Sequence, residues 1–132
     1  MTLAPLLNAS PAIQIHAFAA MAAFALGIVQ FAAPKGTIPH RGLGWIWVAL
    51  MAVVSVTAFF IHEIRLWGPW SPIHLLAIFT AAALPIGVWH ARRHDVARHR
   101  WIMIDIFAGG LVVAGLFTFV PGRIMYAVTT GP

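Results

Sequence analysis

The side chains best suited to chemistry in this sequence are its seven histidines. Cysteine is absent, which excludes thiolate metal sites, disulfides and covalent c-type haem attachment. Imidazole is the commonest protein ligand of transition metals and exchanges protons near neutral pH. Each histidine lies at or near the end of an apolar stretch. The sequence predicts three toward one membrane face (His16, His62 and His74) and four toward the other (His40, His90, His94 and His99).

Four of these histidines form two pairs suited to a haem site. In a four-helix bundle the first and third helices are diagonal, and so are the second and fourth. This arrangement sets His16 opposite His74, and it sets His40 opposite His99. Diagonal helices lie roughly 13 Å apart, which two imidazoles can bridge through one iron. The third helix rises about 24 Å between the two levels, so two stacked haems would carry electrons across the bilayer.

Charged residues near these pairs suit the surroundings of a haem. Arg41, Arg100 and Arg123 could bind haem propionates, because a guanidinium holds a carboxylate through two parallel hydrogen bonds. The same arginines are also explained as signals of membrane orientation. Asp105 lies inside the fourth apolar stretch, where a carboxylate is costly unless it is paired or hydrated. It could accept the second ring proton of a ligating histidine, relay protons, or make an ordinary hydrogen bond near the interface.

Four long apolar stretches must position these side chains. The chain has 132 residues, of which 61% are hydrophobic and 8% charged, and its mean hydropathy is +0.90. So short a chain cannot bury that much hydrocarbon in a soluble core, and each stretch approaches the ~20 residues that cross a bilayer as a helix. The sequence therefore predicts an all-α polytopic membrane protein, a single transmembrane domain over 1–132 with helices at about 12–33, 43–62, 72–90 and 101–121.

The loops predict how the helices are arranged. Because the loops are short, consecutive helices should be antiparallel neighbours in an up-down four-helix bundle. Most basic residues fall in loops on one side of the predicted bundle. The positive-inside rule then predicts a multi-pass protein of the bacterial cytoplasmic (inner) membrane with both termini outside. The first stretch is expected to remain as a helix and not to be a cleaved signal. The net charge of +5 argues against nucleic-acid binding, because the basic residues lie in the loops of one side and are not spread over a soluble face. The inner side carries Lys35, Arg41, Arg92, Arg93, Arg98 and Arg100, and the outer side carries Arg65 and Arg123.

Small residues recur at helical spacing from three of the histidines. They permit close packing of membrane helices, which needs no cofactor, or they leave space for a flat cofactor. The sequence leaves both interpretations open. Steps of three and four residues lead from His16 to Ala20, Ala23 and Gly27, from His74 to Ala77 and Ala81, and from His99 through Met103 to Gly110 and Ala114.

Five short motifs, in order over residues 12–124, resemble a family of small bacterial four-helix proteins classed as predicted membrane proteins of unknown function. They are "IQIHAF" at 13–18, "PHRGLGW" at 39–45, "SPIHLLAI" at 71–78, "ARHRWIMID" at 97–105 and "GLFTFVPGR" at 115–123. The resemblance implies the bundle and the motif positions His16, His40, His74 and His99, but no activity. More loosely, the chain resembles transmembrane b-type cytochromes that hold two haems between diagonal histidines. Those proteins usually have extra helices and more deeply placed ligands.

Three hypotheses follow from these patterns. The first is a b-type haem electron-transfer protein with one or two haems, ligated by the two histidine pairs and served by a quinone or a redox protein. The second is a cofactor-free accessory or structural subunit of a larger membrane complex, since small residues suit helix docking. The third is transition-metal handling or transport through His16, His62 and His74. The sequence has no hydrolase motif, so the only enzyme class that it suggests is an electron-transfer oxidoreductase.

Overall fold

The computed structural model describes residues 2–35, 37–60, 72–119, 121 and 123–131. Helices form all of the regular structure in these ranges, so the prediction of an all-α fold is confirmed. In chain order the helices are α1 (Ala4–Leu7), α2 (Pro11–Ala32), α3 (Ile38–Ala58), α4 (Pro72–Arg92), α5 (Val96–Asp105), a π-helix (Ile106–Val113), α6 (Ala114–Phe117) and α7 (Ile124–Thr130).

Four helices in the described part of the chain are long and apolar enough to cross a membrane. We name them spans 1 to 4: Pro11–Ala32, Ile38–Ala58, His74–Arg92 and Val96–Phe117. Span 4 joins α5, the π-helix and α6 into one continuous helix. The mean hydropathy of the spans lies between 1.5 and 1.9, and many large apolar side chains are exposed on their outer surfaces. These features confirm a membrane protein with four spans.

Two spans begin earlier than the sequence predicts, because polar side chains cap them. Thr37 Oγ1 accepts a hydrogen bond from the His40 backbone N–H at 3.2 Å, and span 2 begins directly after Thr37 and not near residue 43. Asp95 Oδ1 accepts one from the Arg98 backbone N–H at 3.3 Å, and span 4 begins directly after Asp95. A capping side chain supplies a partner that first-turn amides otherwise lack. The predicted end of the second helix, 61–62, lies outside the described residues.

The middle of span 4 is a π-helix, which the sequence analysis does not predict. A π-helix forms i→i+5 hydrogen bonds, and such segments are frequent at functional sites. A Cβ added at Gly110 would lie 3.3 Å from Thr80 Oγ1 of span 3 and 3.4 Å from Met51 Cε of span 2. Gly110 therefore marks the place where spans 2, 3 and 4 approach one another.

Each span packs against the spans next to it in sequence, and span 4 also packs against span 1. The contacts join opposite ends of consecutive spans. The start of span 1 meets the end of span 2 through His16 and Thr57. The end of span 3 meets the start of span 4 through Gly87 and His99. Because the link between spans 2 and 3 lies outside the described residues, an up-down order of the whole chain stays a prediction.

The two ends of the bundle differ in what covers them. At one, here called the terminal end, α1 packs against α7 and the Thr2 backbone N–H donates to the Val128 carbonyl oxygen at 3.0 Å. Leu6 of α1 is fully buried there. The other end, here called the basic end, carries Lys35 and the arginine-rich segment 91–100. The short terminal helices thus cover the bundle at one end only.

Gly27 sets the distance between spans 1 and 4. A Cβ added there would lie 2.5 Å from Phe107 Cε2. The Phe107 ring is itself held between Phe24 and Phe31, at centroid distances of 5.5 and 5.1 Å. The ring therefore has little freedom to move away from an added methyl group.

We expect Gly27→Ala to lower the free energy of unfolding by about 1–3 kcal/mol, the usual cost of overpacking. Gly42→Ala is the matched control, because a Cβ added there meets no atom within 4 Å. That change should raise the free energy of unfolding by up to about 1 kcal/mol, since alanine favours helix over glycine. Thermal denaturation in detergent, followed by circular dichroism, compares the two. Equal shifts in both variants would contradict the assigned contact.

Candidate functional site

A cavity of about 460 Å³ lies in the terminal half of the bundle. All four spans line it, and Leu6 of α1 and Met125 of α7 line it from the terminal end. Its walls are mainly apolar. Small-molecule and cofactor sites typically measure roughly 300–1,000 Å³ and are lined mainly by apolar side chains. The cavity therefore has the size and lining of a binding site.

The small residues predicted from helical spacing lie in two kinds of surroundings. Gly27 directly faces a side chain of span 4 and so allows close helix packing, as does Gly87, which the spacing does not predict. Others leave the space that forms the cavity, namely Ala20, Ala77, Gly110 and Ala114. Close packing and an internal cavity thus coexist along the same helices.

His16 lines the cavity, and contacts with span 2 fix the position of its ring. Nδ1 lies 3.0 Å from the Val54 carbonyl oxygen and 3.0 Å from Thr57 Oγ1. A carbonyl oxygen only accepts, so Nδ1 must carry the proton and donate. The Thr57 hydroxyl donates in turn to the Val53 carbonyl at 2.7 Å. Nε2 is then the unprotonated nitrogen, which is the state in which a histidine binds a metal.

Two polar groups in the cavity wall have no hydrogen-bond partner among the described residues. Ser55 is 2% exposed and its Oγ is buried. Arg123 Nη1, just before α7, is also buried without such a partner. Leaving a buried donor unsatisfied costs about 1–3 kcal/mol, and more for a charged group. Because both groups can donate, a complementary ligand would present a carboxylate, carbonyl or hydroxyl oxygen.

His74 lies at the same end of the bundle as His16, on span 3. Its side chain is 1% exposed, and its ring centroid lies 6.2 Å from that of Phe59 on span 2. Ala77, one turn further along span 3, lines the cavity, whereas His74 is not among the described lining residues. The structure therefore places His74 one helical turn from the cavity wall and outside the described lining.

His40 and His99 both lie at the basic end, where their charges can interact. His99 Nδ1 lies 2.9 Å from the Gly87 carbonyl oxygen, so this nitrogen donates and Nε2 is left as the acceptor. His40 Nδ1 is buried without a partner in the described residues, and Gln30 Nε2 donates to the His40 backbone carbonyl at 2.9 Å. The two histidines of the predicted inner pair thus lie at the same end of the bundle, and neither is among the described residues that line the cavity.

The other predicted site residues lie in different surroundings. Arg41 and Arg100 are exposed at the basic end, and only Arg123 lines the cavity. Asp105 is exposed on the outer surface of span 4. The Nδ1 protons of His16 and His99 are accepted by backbone carbonyls, so of the three roles considered for Asp105, that of proton acceptor for these two rings has no support here.

The sequence analysis missed Ser55 and Thr57. Both are polar residues in an apolar helix. Polar groups inside a membrane are costly without partners, so such residues indicate a possible site. Their sequence positions alone do not reveal that one faces the cavity and the other contacts His16. That information comes from the packing of span 1 against span 2.

The three-histidine metal cluster stays a prediction. His62 lies outside the described residues, so its distance to His16 and His74 is not defined. Among the residues that the structure describes, no group of three or more histidine, aspartate or glutamate side chains is arranged to hold a metal ion. A haem held by two histidines does not require such a group.

Comparison with known proteins identifies one family. The sequence model described as "Predicted membrane protein (DUF2306)" matches residues 13–129, which is most of the chain. Neither the curated proteins nor the solved structures contain a match to the chain. The matched range includes all four spans and the histidines of both pairs.

Proposed function

The chain belongs to DUF2306, a family of predicted membrane proteins, and we propose that it is a membrane-embedded b-type haem protein that transfers electrons. One observation carries the proposal: a mainly apolar cavity combines an imidazole of fixed tautomer with a guanidinium whose buried Nη1 lacks a hydrogen-bond partner in the described residues. A haem matches this combination, because its iron takes a nitrogen ligand, its ring is apolar and its propionates are anionic.

His16 is the proposed first ligand of the iron. Its Nδ1–H is held by the Val54 carbonyl, which orients the ring and leaves Nε2 for the metal. His74 is the proposed second ligand, because it lies at the same end on span 3 and one turn from Ala77 in the cavity wall. Since His74 lies outside the described lining, its ring must turn toward the cavity when haem binds.

Arg123 is the proposed partner of a propionate. Its Nη1 is buried at the cavity and lacks a described partner, so an incoming carboxylate would satisfy it. Ser55 Oγ offers a second donor in the same cavity. Bound haem supplies one-electron oxidation and reduction, and the chain supplies ligands, charge and an apolar environment.

His40 and His99 are the proposed ligands of a second haem at the basic end. The fixed Nδ1 of His99 and the buried His40 Nδ1, which has no partner in the described residues, support this role. Arg41 and Arg100 would then bind the propionates of this second haem at the membrane surface. Two haems at opposite ends would connect the two membrane faces.

The proposed setting is the cytoplasmic membrane of a bacterium. Six of the eight basic residues belong to the basic end, so the positive-inside rule puts that end in the cytoplasm and both termini outside. A quinone or a redox protein would exchange electrons with the haem, because no extramembrane domain is present in the described chain to hold another cofactor.

Purification from haem-replete cells tests the proposal. We expect haem that is extractable by acidified solvent, since the chain has no cysteine to bind it covalently. Stoichiometric transition metal without haem would favour metal handling instead. Colourless protein that co-purifies with a stoichiometric partner would favour an accessory subunit. Either of these two results would overturn the haem proposal.

A further inference from the structure

A groove of about 520 Å³ runs along the outside of the bundle between spans 2 and 3. One helical stripe of each span lines it, drawn from residues 45–56 of span 2 and 81–92 of span 3. Most of these side chains are apolar. At its deep end the groove reaches Ser55, which also lines the internal cavity.

The groove has the length of one membrane leaflet. Eleven residues of helix rise about 16 Å, and this is the length of each lining stripe. A bilayer has a hydrocarbon core of about 30 Å, so one leaflet contributes about 15 Å. An acyl chain that enters from the basic end would therefore fill the groove from the interface to the middle of the membrane.

Two tryptophans and two arginines surround the mouth of the groove at the basic end. Trp45 and Trp89 line it and are 56% and 53% exposed, as is typical of aromatic side chains at the membrane interface. Arg92 also lines it. Arg93 Cζ lies 4.8 Å from the centroid of the Trp89 ring, so a cation–π contact holds a second guanidinium near the mouth.

We propose that this groove binds an anionic phospholipid, with its phosphate at Arg92 and Arg93 and one acyl chain between spans 2 and 3. Arginine binds phosphate through paired hydrogen bonds, and basic pockets between membrane helices bind anionic lipid head groups. The charge of the mouth selects the head group, and the apolar groove holds the chain. This site is separate from the haem proposal and does not depend on it.

Native mass spectrometry of the detergent-solubilised protein, titrated with phosphatidylglycerol or phosphatidylcholine, tests the site. We expect a preference for phosphatidylglycerol that falls about fivefold for each of Arg92→Gln and Arg93→Gln, since each arginine near the surface contributes about that factor. Arg98→Gln is the charge-matched control, because exposed Arg98 is paired with Asp95 (Nε to Oδ2, 3.6 Å), whereas Arg92 lines the groove and Arg93 lies against Trp89 at its mouth.

A second pair of variants separates the groove from general charge attraction. Ala81→Phe fills the groove, whereas Ala82→Phe adds the same ring at an exposed neighbour that does not line it. Only Ala81→Phe should reduce bound phosphatidylglycerol. Equal effects within either pair would overturn the proposal. A retained adduct with the mass of an isoprenoid quinone or of a second copy of the chain would also overturn it.

Discussion

His16→Ala is expected to lower the haem bound in the terminal-end cavity by more than about tenfold, so that haem per chain falls to the amount held by the His40 and His99 pair. The reason is that it removes the imidazole that lines the cavity with Nδ1 held by span 2. Loss of an outer partner of a metal ligand already costs about 10- to 100-fold in metal affinity. Loss of the ligand itself should cost at least as much. Haem extracted per chain, at equal protein concentration, measures the effect.

Two further variants test whether the loss of haem is specific to His16 and its contacts. Thr57→Val removes one of the two acceptors at His16 Nδ1 but keeps the Val54 carbonyl, so it should weaken haem binding less than His16→Ala. His94→Asn is the control, because His94 is exposed in the loop before span 4 with φ 59°, a conformation that asparagine tolerates. Haem content unchanged in His16→Ala, or reduced equally in His94→Asn, would contradict the assigned ligand.

Filling the cavity should also exclude the cofactor. Ala20 of span 1 is half-buried and lines the cavity, whereas Ala22 is exposed and does not line it. We expect Ala20→Phe to remove most of the haem from this cavity and to leave any haem at the His40 and His99 pair, because the added ring occupies the space of a flat ligand, at an overpacking cost of about 1–3 kcal/mol. Ala22→Phe should keep haem at the wild-type level.

The readouts for this pair are haem per chain and helix content by circular dichroism. Helix content should stay unchanged in both variants, because the spans remain apolar and uninterrupted. Full haem loading in Ala20→Phe would show that the cofactor is bound elsewhere, with the His40 and His99 pair as the next site to examine.

Hydropathy was sufficient to predict the four spans, because about 20 apolar residues have one stable arrangement in a membrane. The boundaries of the spans depended on capping side chains, which hydropathy does not detect. The second helix is predicted from about residue 43, but capping by Thr37 begins span 2 at Ile38. The π-helix over Ile106–Val113 also lacked a sequence signal, since its hydrogen-bond shift depends on packing against neighbouring spans.

The candidate site was predictable in part. Helical spacing and bundle geometry were enough to assign His16 and His74 to one end and His40 and His99 to the other. The cavity itself was not predictable, because its volume depends on how Gly110 approaches two other spans. The hydrogen bond from His16 to the Val54 carbonyl was equally hidden. A backbone acceptor can belong to any residue type, so sequence cannot single it out.

The central claim is that the cavity at the terminal end holds a haem with His16 as a ligand. The reduced-minus-oxidised absorbance spectrum of the wild-type protein tests this claim most directly. We predict the sharp α band of a six-coordinate b-type haem, reversible on reoxidation. A pure, helical and colourless protein from haem-replete cells would contradict it.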